Sequence, residues 1–187
     1  MSIKRTLQIA KELGITLKNI KTFPGHDGIP GFDADICING KKVLHVHDGA
    51  YGGSYEYRPV DGNYKEAYKL QETLNEKIKS YGKHECKLGG RIFMLSDDLD
   101  SVCAAIVSEV EFEKQLKKDT KKGILLKNKD EESYRIAKFK QGNIPNLIKK
   151  FPKEQVLKTL QKSVDIFIKQ NEVILNKEYL ESVGVEF

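Results

Sequence analysis

The stretch GHDGIPGFDADICINGKKVLHVHDGAYGGSYEYR, residues 25–58, decides how this chain folds. Phe32, Ala34, Ile36 and Ile38 alternate with Asp33, Asp35 and Cys37. Alternation of this kind marks a half-buried strand. Asn39-Gly40 is a strong hairpin signal, and the returning strand carries Leu44 and Val46 at even positions and Val43, His45 and His47 at odd ones. Opposed residues of an antiparallel pair share a face, so even must oppose even if the apolar sets are to meet. That parity asks for an odd loop, most simply Ile38-Asn39-Gly40, because a two-residue Asn-Gly loop brings both histidines among the apolar side chains. The expected register sets Asp33 opposite His45, Asp35 opposite Val43, and His47 opposite Gly31. Two carboxylates and two imidazoles then occupy the face away from the core.

Outward from this hairpin the chain reads as α+β. Before it, Ser2 caps a helix with Ile3, Leu7, Ala10 and Leu13 on one face, and a strand over 15–23 follows. After it come a flexible Asp48–Gly53 connection, a strand over 54–58, and a helix from Tyr64 to Tyr81. Residues 82–90 read as the boundary between two parts. The first is a helix–antiparallel sheet–helix unit over residues 1–85. The second, residues 86–187, is a helix-rich half with a short hairpin. It begins with an apolar strand over 91–95 and a helix capped at Ser96, whose acidic start suits the positive end of the helix dipole. A hairpin over 123–140, helices over 144–150 and after Pro152, and a docking tail complete it.

Composition narrows the class. No apolar run approaches the ~20 residues of a membrane span, and the N-terminus lacks a signal-peptide core, which points to a cytoplasmic protein. The 3 cysteines are far apart without CxxC spacing, so a cysteine-built zinc site is not expected. A net charge of +5 permits nucleic-acid contact without requiring it.

Asp33, Asp35, His45 and His47, with Asp48 and the His26-Asp27 loop nearby, form the candidate catalytic cluster. Carboxylate and imidazole together share acid–base work, the acid orienting the ring. Asp33, Asp35 and His45 holding a divalent metal is the alternative chemistry. An open sheet face merely wetted by water is the bland reading of the same residues. Asp48, Gly49, Tyr51, Gly52 and Gly53 suit a backbone nest approaching a phosphate, although the following P-loop Lys-Ser/Thr is missing. Tyr51, Tyr55, Tyr57 and Arg58 suit base stacking, and Lys42 suits phosphate neutralisation. The lysines at 114–122 and 138–153 track a phosphate backbone or simply solvate helix faces.

The residues Gly31-Phe32-x-Ala34, Gly40-Lys41-Lys42-Val43, Asp48-Gly49-x-x-Gly52-Gly53 and Tyr57 resemble a family of small phage and mobile-element proteins. Those proteins show a Gly-Phe-Asn-Ala strand, a Gly-Lys-Lys-Val turn and an Asp-Gly-x-Gly-Gly loop; Asp33 stands here in place of the Asn. Some of them look like anti-CRISPR proteins against type II effectors. The resemblance implies a counter-defence role in a bacterial host cell, with the CRISPR effector nuclease or its guide RNA as partner. Two functions are then expected: a ribonuclease-type phosphodiesterase working through the Asp/His face, or a non-enzymatic binding module. The second blocks the effector, or captures a nucleotide through Tyr51, Tyr55 and the glycine loop. A housekeeping domain without chemistry is the third reading.

Overall fold

The computed structural model describes residues 3–25, 28–127 and 133–187. The expected Ser2 cap, the His26-Asp27 loop and the turn over 128–132 lie outside them. The α+β expectation holds: an N-terminal helix is followed by a four-stranded antiparallel sheet and then a helix-rich half. Two compact units result, residues 1–111 and 112–187. The division falls within a helix and not near residue 85.

In the first unit, α1 (Ile3–Glu12) leads into β1 (Ile15–Phe23), β2 (Gly31–Ile38), β3 (Lys41–Asp48) and β4 (Glu56–Pro59), which pair in sequence order. Then come α2 (Tyr64–Lys79), the hairpin β5 (Lys83–Leu88) and β6 (Arg91–Ser96), and α3 (Leu99–Asp119). Phe32, Ala34, Ile36, Leu44 and Val46 are all buried, as parity demands, and cluster with Ile9 of α1, Leu74 and Ile78 of α2, and Leu99 and Val102 of α3. The early part of α3 therefore belongs to this core, which displaces the expected boundary. β5 occupies residues read as a linker, and β6 is apolar but exposed along Ile92–Leu95. Asp98, rather than Ser96, caps α3 by accepting from Ser101 N at 2.8 Å.

The hairpin achieves its parity by another route than the one expected. Ile38 pairs with Lys41 across a two-residue Asn39-Gly40 turn. Both turn residues have positive φ (49° and 83°), the type I′ geometry that Asn-Gly favours. The parity is then restored by a bulge: Cys37 pairs with Lys42 but Ile36 pairs with Leu44, leaving Val43 as the extra residue. The turn obeys its local chemistry, and the hydrophobic pattern is rescued one step later.

In the second unit, β7 (Gly123–Lys127) and β8 (Tyr134–Lys138) form a hairpin beside α4 (Ile144–Lys150), α5 (Lys153–Lys169) and α6 (Lys177–Val183). Ile124 and Leu126 cluster with Ile144, Leu160, Val164 and Leu180, and the tail docks through Val185. Buried Asn176 is the polar hub, accepting from Leu125 N at 3.0 Å and donating to the carbonyls of Thr120 and Gly123 at 2.9 and 2.8 Å.

Buried Asp119 receives hydrogen bonds from Lys122, Tyr134 and Gln115. The Lys122 bond is the largest influence, and together with the others it outweighs burial and holds the carboxyl at about 2, against an ordinary 3.8. A depressed folded value means stability that is fully present above the unfolded value and lost as pH falls through the folded one. The stability advantage of the wild type over Asp119→Asn is therefore expected to be intact near pH 5, to shrink as pH falls toward about 2, and to vanish only below that. Melting curves of both proteins across that range check it, and a pH-independent gap would contradict the assignment.

Candidate functional site

The sheet's core face is covered by helices, and its other face carries the polar side chains. Register lays these out in two rows. One runs Lys18, Asp35, His45, Arg58 across the four strands; the next runs Lys21, Asp33, His47, Glu56. The expected partners are thus exchanged: Asp33 faces His47 rather than His45, Asp35 faces His45 rather than Val43, and His47 does not face Gly31. The cause is the two-residue turn with its bulge, which shifts the whole register.

Each histidine meets its own carboxylate through Nδ1. His45 Nδ1 lies 2.6 Å from Asp35 Oδ1, and His47 Nδ1 lies 2.8 Å from Asp33 Oδ1. An ionised carboxylate only accepts, so in both rings Nδ1–H donates and Nε2 is the nitrogen not committed to the carboxylate. Two residues of strand rise separate the rows, about 7 Å. The two imidazoles therefore stand side by side on one surface.

The two pairs differ in support. The Asp35 side chain is only 9% exposed and the Asp33 side chain 57%. Asp35 also accepts from Asn19 Nδ2 at 2.7 Å and faces Lys42 Nζ at 3.0 Å. Burial pushes its carboxyl up, but the bonds from Asn19 and Lys42 and the charges of Lys42 and His45 more than offset this and hold it below the ordinary range. Asn19 was not legible as a site residue. It sits in the β1 bulge with φ of 54°, where register slips between Lys18 and Lys21. An Asn amid polar strand residues is the one signal, since Asn tolerates left-handed backbone. His47 has a different brace, its ring stacked on Phe23 at 5.7 Å between centroids.

Asn19, Asp33, Asp35, His45 and His47 line a concavity of about 630 Å³ together with Lys21 and Arg58. Arg58 is exposed and tied to Glu56 at 2.8 Å. Cations thus stand on both sides of the imidazoles, Lys21 from β1 and Arg58 from β4.

The remaining candidates scatter. Tyr55 and Tyr57 turn toward the core, not toward the Asp/His face. Tyr55 packs edge-on against Phe32 at 5.3 Å, and the Tyr57 hydroxyl donates to Asp100 Oδ1 at 2.5 Å. Burial pushes both hydroxyls well up. A strand with alternating faces cannot offer Tyr57 and Arg58 to one ligand, so base stacking on these two tyrosines does not stand. Tyr51 is 85% exposed in the glycine loop. Asp48 closes that loop by accepting from Ala50 N at 2.8 Å, and Gly52 takes φ of 76°. Gly49 adjoins the site, since a Cβ there would lie 3.6 Å from His47 Nε2. Gly53 opens onto free space.

Among the described residues, no three His, Cys, Asp or Glu side chains are grouped to hold a metal ion. The expected trio of Asp33, Asp35 and His45 is split because each carboxylate is committed to a different ring. Of the basic stretches, Lys117 pairs with Glu113 as on a solvated helix face, and Lys122, just past α3, is tied to the buried Asp119. No helix among the described residues is long and apolar enough to cross a membrane. Comparison with known protein families, curated proteins and solved structures found no match.

Proposed function

We propose that this protein cleaves RNA by imidazole acid–base catalysis on the open face of its first sheet. The observation that carries the reading is the pair of in-register Asp–His couples between flanking cations. His45, held by the buried and multiply bonded Asp35, takes the proton from a ribose 2′-hydroxyl through Nε2. The 2′-oxygen attacks phosphorus and the bond to the 5′-oxygen breaks. Protonated His47 gives its proton to that leaving oxygen. The products are a 2′,3′-cyclic phosphate and a 5′-hydroxyl, so atoms and charge balance without a co-reactant. Arg58 and Lys21 neutralise the phosphate as charge builds on it. A span of about 7 Å between rows brackets one phosphate with a hydrogen bond on either side.

The resemblance to mobile-element proteins supplies the setting: counter-defence against a type II RNA-guided nuclease, with guide RNA as substrate. The test is a time course of labelled guide RNA with catalytic amounts of protein, with and without the effector nuclease and a chelator. Discrete fragments ending in cyclic phosphate, formed with turnover and unaffected by chelator, are expected. Intact RNA with a shifted band or a silenced nuclease would replace this reading with a binding module. Loss of cleavage in the chelator lane would replace imidazole with metal chemistry.

A further inference from the structure

The β5–β6 hairpin leaves one strand edge open. Its register is unbroken from Lys83–Ser96 to Leu88–Arg91, around a Gly89-Gly90 turn with both φ positive (56° and 77°). A two-residue turn of this kind is closed by a hydrogen-bonded pair, here Leu88–Arg91, and bonded and non-bonded pairs alternate beyond it. Arg91, Phe93 and Leu95 therefore turn their backbone groups to β5, while Ile92, Met94 and Ser96 turn theirs outward. Among the described residues no strand pairs with that outer edge. Apolar side chains stand out on both faces, Ile92 (60% exposed) and Met94 (55%) on one, Phe93 and Leu95 on the other. Between Arg91 and Ser96 the strand carries no charge, proline or bulge, the devices that blunt a free edge.

We infer that β6 pairs with β6 of a second copy of this chain, antiparallel about a two-fold axis, to make a four-stranded sheet. The charges at the ends of the strand select that arrangement. Arg91 stands exposed at the turn end, and Asp97 and Asp98 follow Ser96 at the other. In-register parallel pairing sets Arg91 beside Arg91, whereas antiparallel pairing brings each Arg91 to the acidic end of its neighbour. Outward backbone groups must meet outward ones, so even-numbered residues oppose even-numbered residues. Met94 opposite Met94 satisfies this. Ile92 then opposes Ser96, Phe93 opposes Leu95, and Arg91 opposes Asp97, next to Asp98. Moving the axis to Phe93 keeps the hydrogen bonds but sets Arg91 against Leu95, away from the acids. Every apolar side chain that β6 exposes gains a facing or diagonal neighbour, and the contact closes at two copies. The patch is small, so the dimer is weak and forms as concentration rises.

The test is sedimentation equilibrium of the full chain from about 1 µM to about 1 mM, where a reversible monomer–dimer equilibrium is expected. Met94→Lys changes an exposed side chain and sets two like charges against each other on the axis. It is expected to weaken the dimer about tenfold or more. Met94→Cys gives a second readout that stands even if the lysine disturbs the hairpin. Facing residues of a hydrogen-bonded pair lie about 5.5 Å apart at Cα, within disulfide reach. Mild oxidation should therefore give a covalent dimer whose link maps to position 94 in both copies. A dimer that is indifferent to Met94→Lys and forms no such link would overturn the interface. A chain that stays monomeric to about 1 mM would overturn it as well, and would leave the β6 edge to a strand of another protein.

Discussion

Alanine at His45 is expected to slow RNA cleavage by about 10²–10⁴-fold, the usual contribution of a positioned proton-transfer group. The His45 side chain is 46% exposed and outside the core, so the fold should survive the change. His47→Ala is expected to lose a similar factor, and the double variant little more, because an acid and a base that act in one step are not additive. The carboxylates should rank differently. Asp35→Ala strands three donors at a nearly buried position, on Asn19, Lys42 and His45. Asp33→Ala removes an exposed partner that water replaces, and Phe23 still braces His47. Single-turnover rates should therefore fall further for Asp35→Ala than for Asp33→Ala. Circular dichroism of each variant separates lost chemistry from lost fold. Wild-type rates in both histidine variants would end the imidazole mechanism.

That ranking depends on which acid meets which histidine, and here the sequence was only partly readable. Parity alone put Asp33, Asp35, His45 and His47 together on one face, because burying Phe32, Ala34, Ile36, Leu44 and Val46 leaves them nowhere else. It could not say how the hairpin reconciles an Asn-Gly turn with even-to-even pairing. An odd loop and a two-residue turn plus bulge satisfy the same apolar pattern, and beyond the bulge they differ by a shift of two in every opposed pair. The turn's own preference for positive φ at both residues decided it. Asn19 stayed hidden for a related reason: a bulge moves a side chain by a backbone irregularity that no periodicity announces. Tyr55 and Tyr57 alternate with Glu56 and Arg58, so parity sends them to the core face, although aromatic residues beside an arginine also suit base stacking. The β5 strand was missed since Lys83–Leu88 mixes charged and apolar residues without a clear period, and only its pairing with β6 defines it.

Asp97→Ala is expected to destabilise the first unit by roughly 3–5 kcal/mol, the range for removing one partner of a buried ion pair. Asp97 is 1% exposed, accepts from Thr6 Oγ1 at 2.8 Å, and pairs with Arg5 Nη1 at 3.3 Å. Arg5 in turn donates to the carbonyls of Tyr81 and Gly82 and contacts His84 Nδ1 at 2.6 Å. The carboxylate therefore compensates a guanidinium that fastens α1 to the end of α2 and the start of β5. With the Arg5 side chain 27% exposed, water relieves part of the stranded charge, which favours the lower end of the range. Replacing both partners, as in Arg5→Met with Asp97→Leu, should recover most of the loss, since an apolar pair carries no desolvation penalty. Two units make a single unfolding curve ambiguous, so amide hydrogen exchange is the better readout. Protection should fall in α1 and the first turns of α3 and stay unchanged in β7 and α5. A loss under about 1 kcal/mol, or one spread evenly over both units, would mean that Thr6 and the surrounding apolar contacts hold α1 without the ion pair.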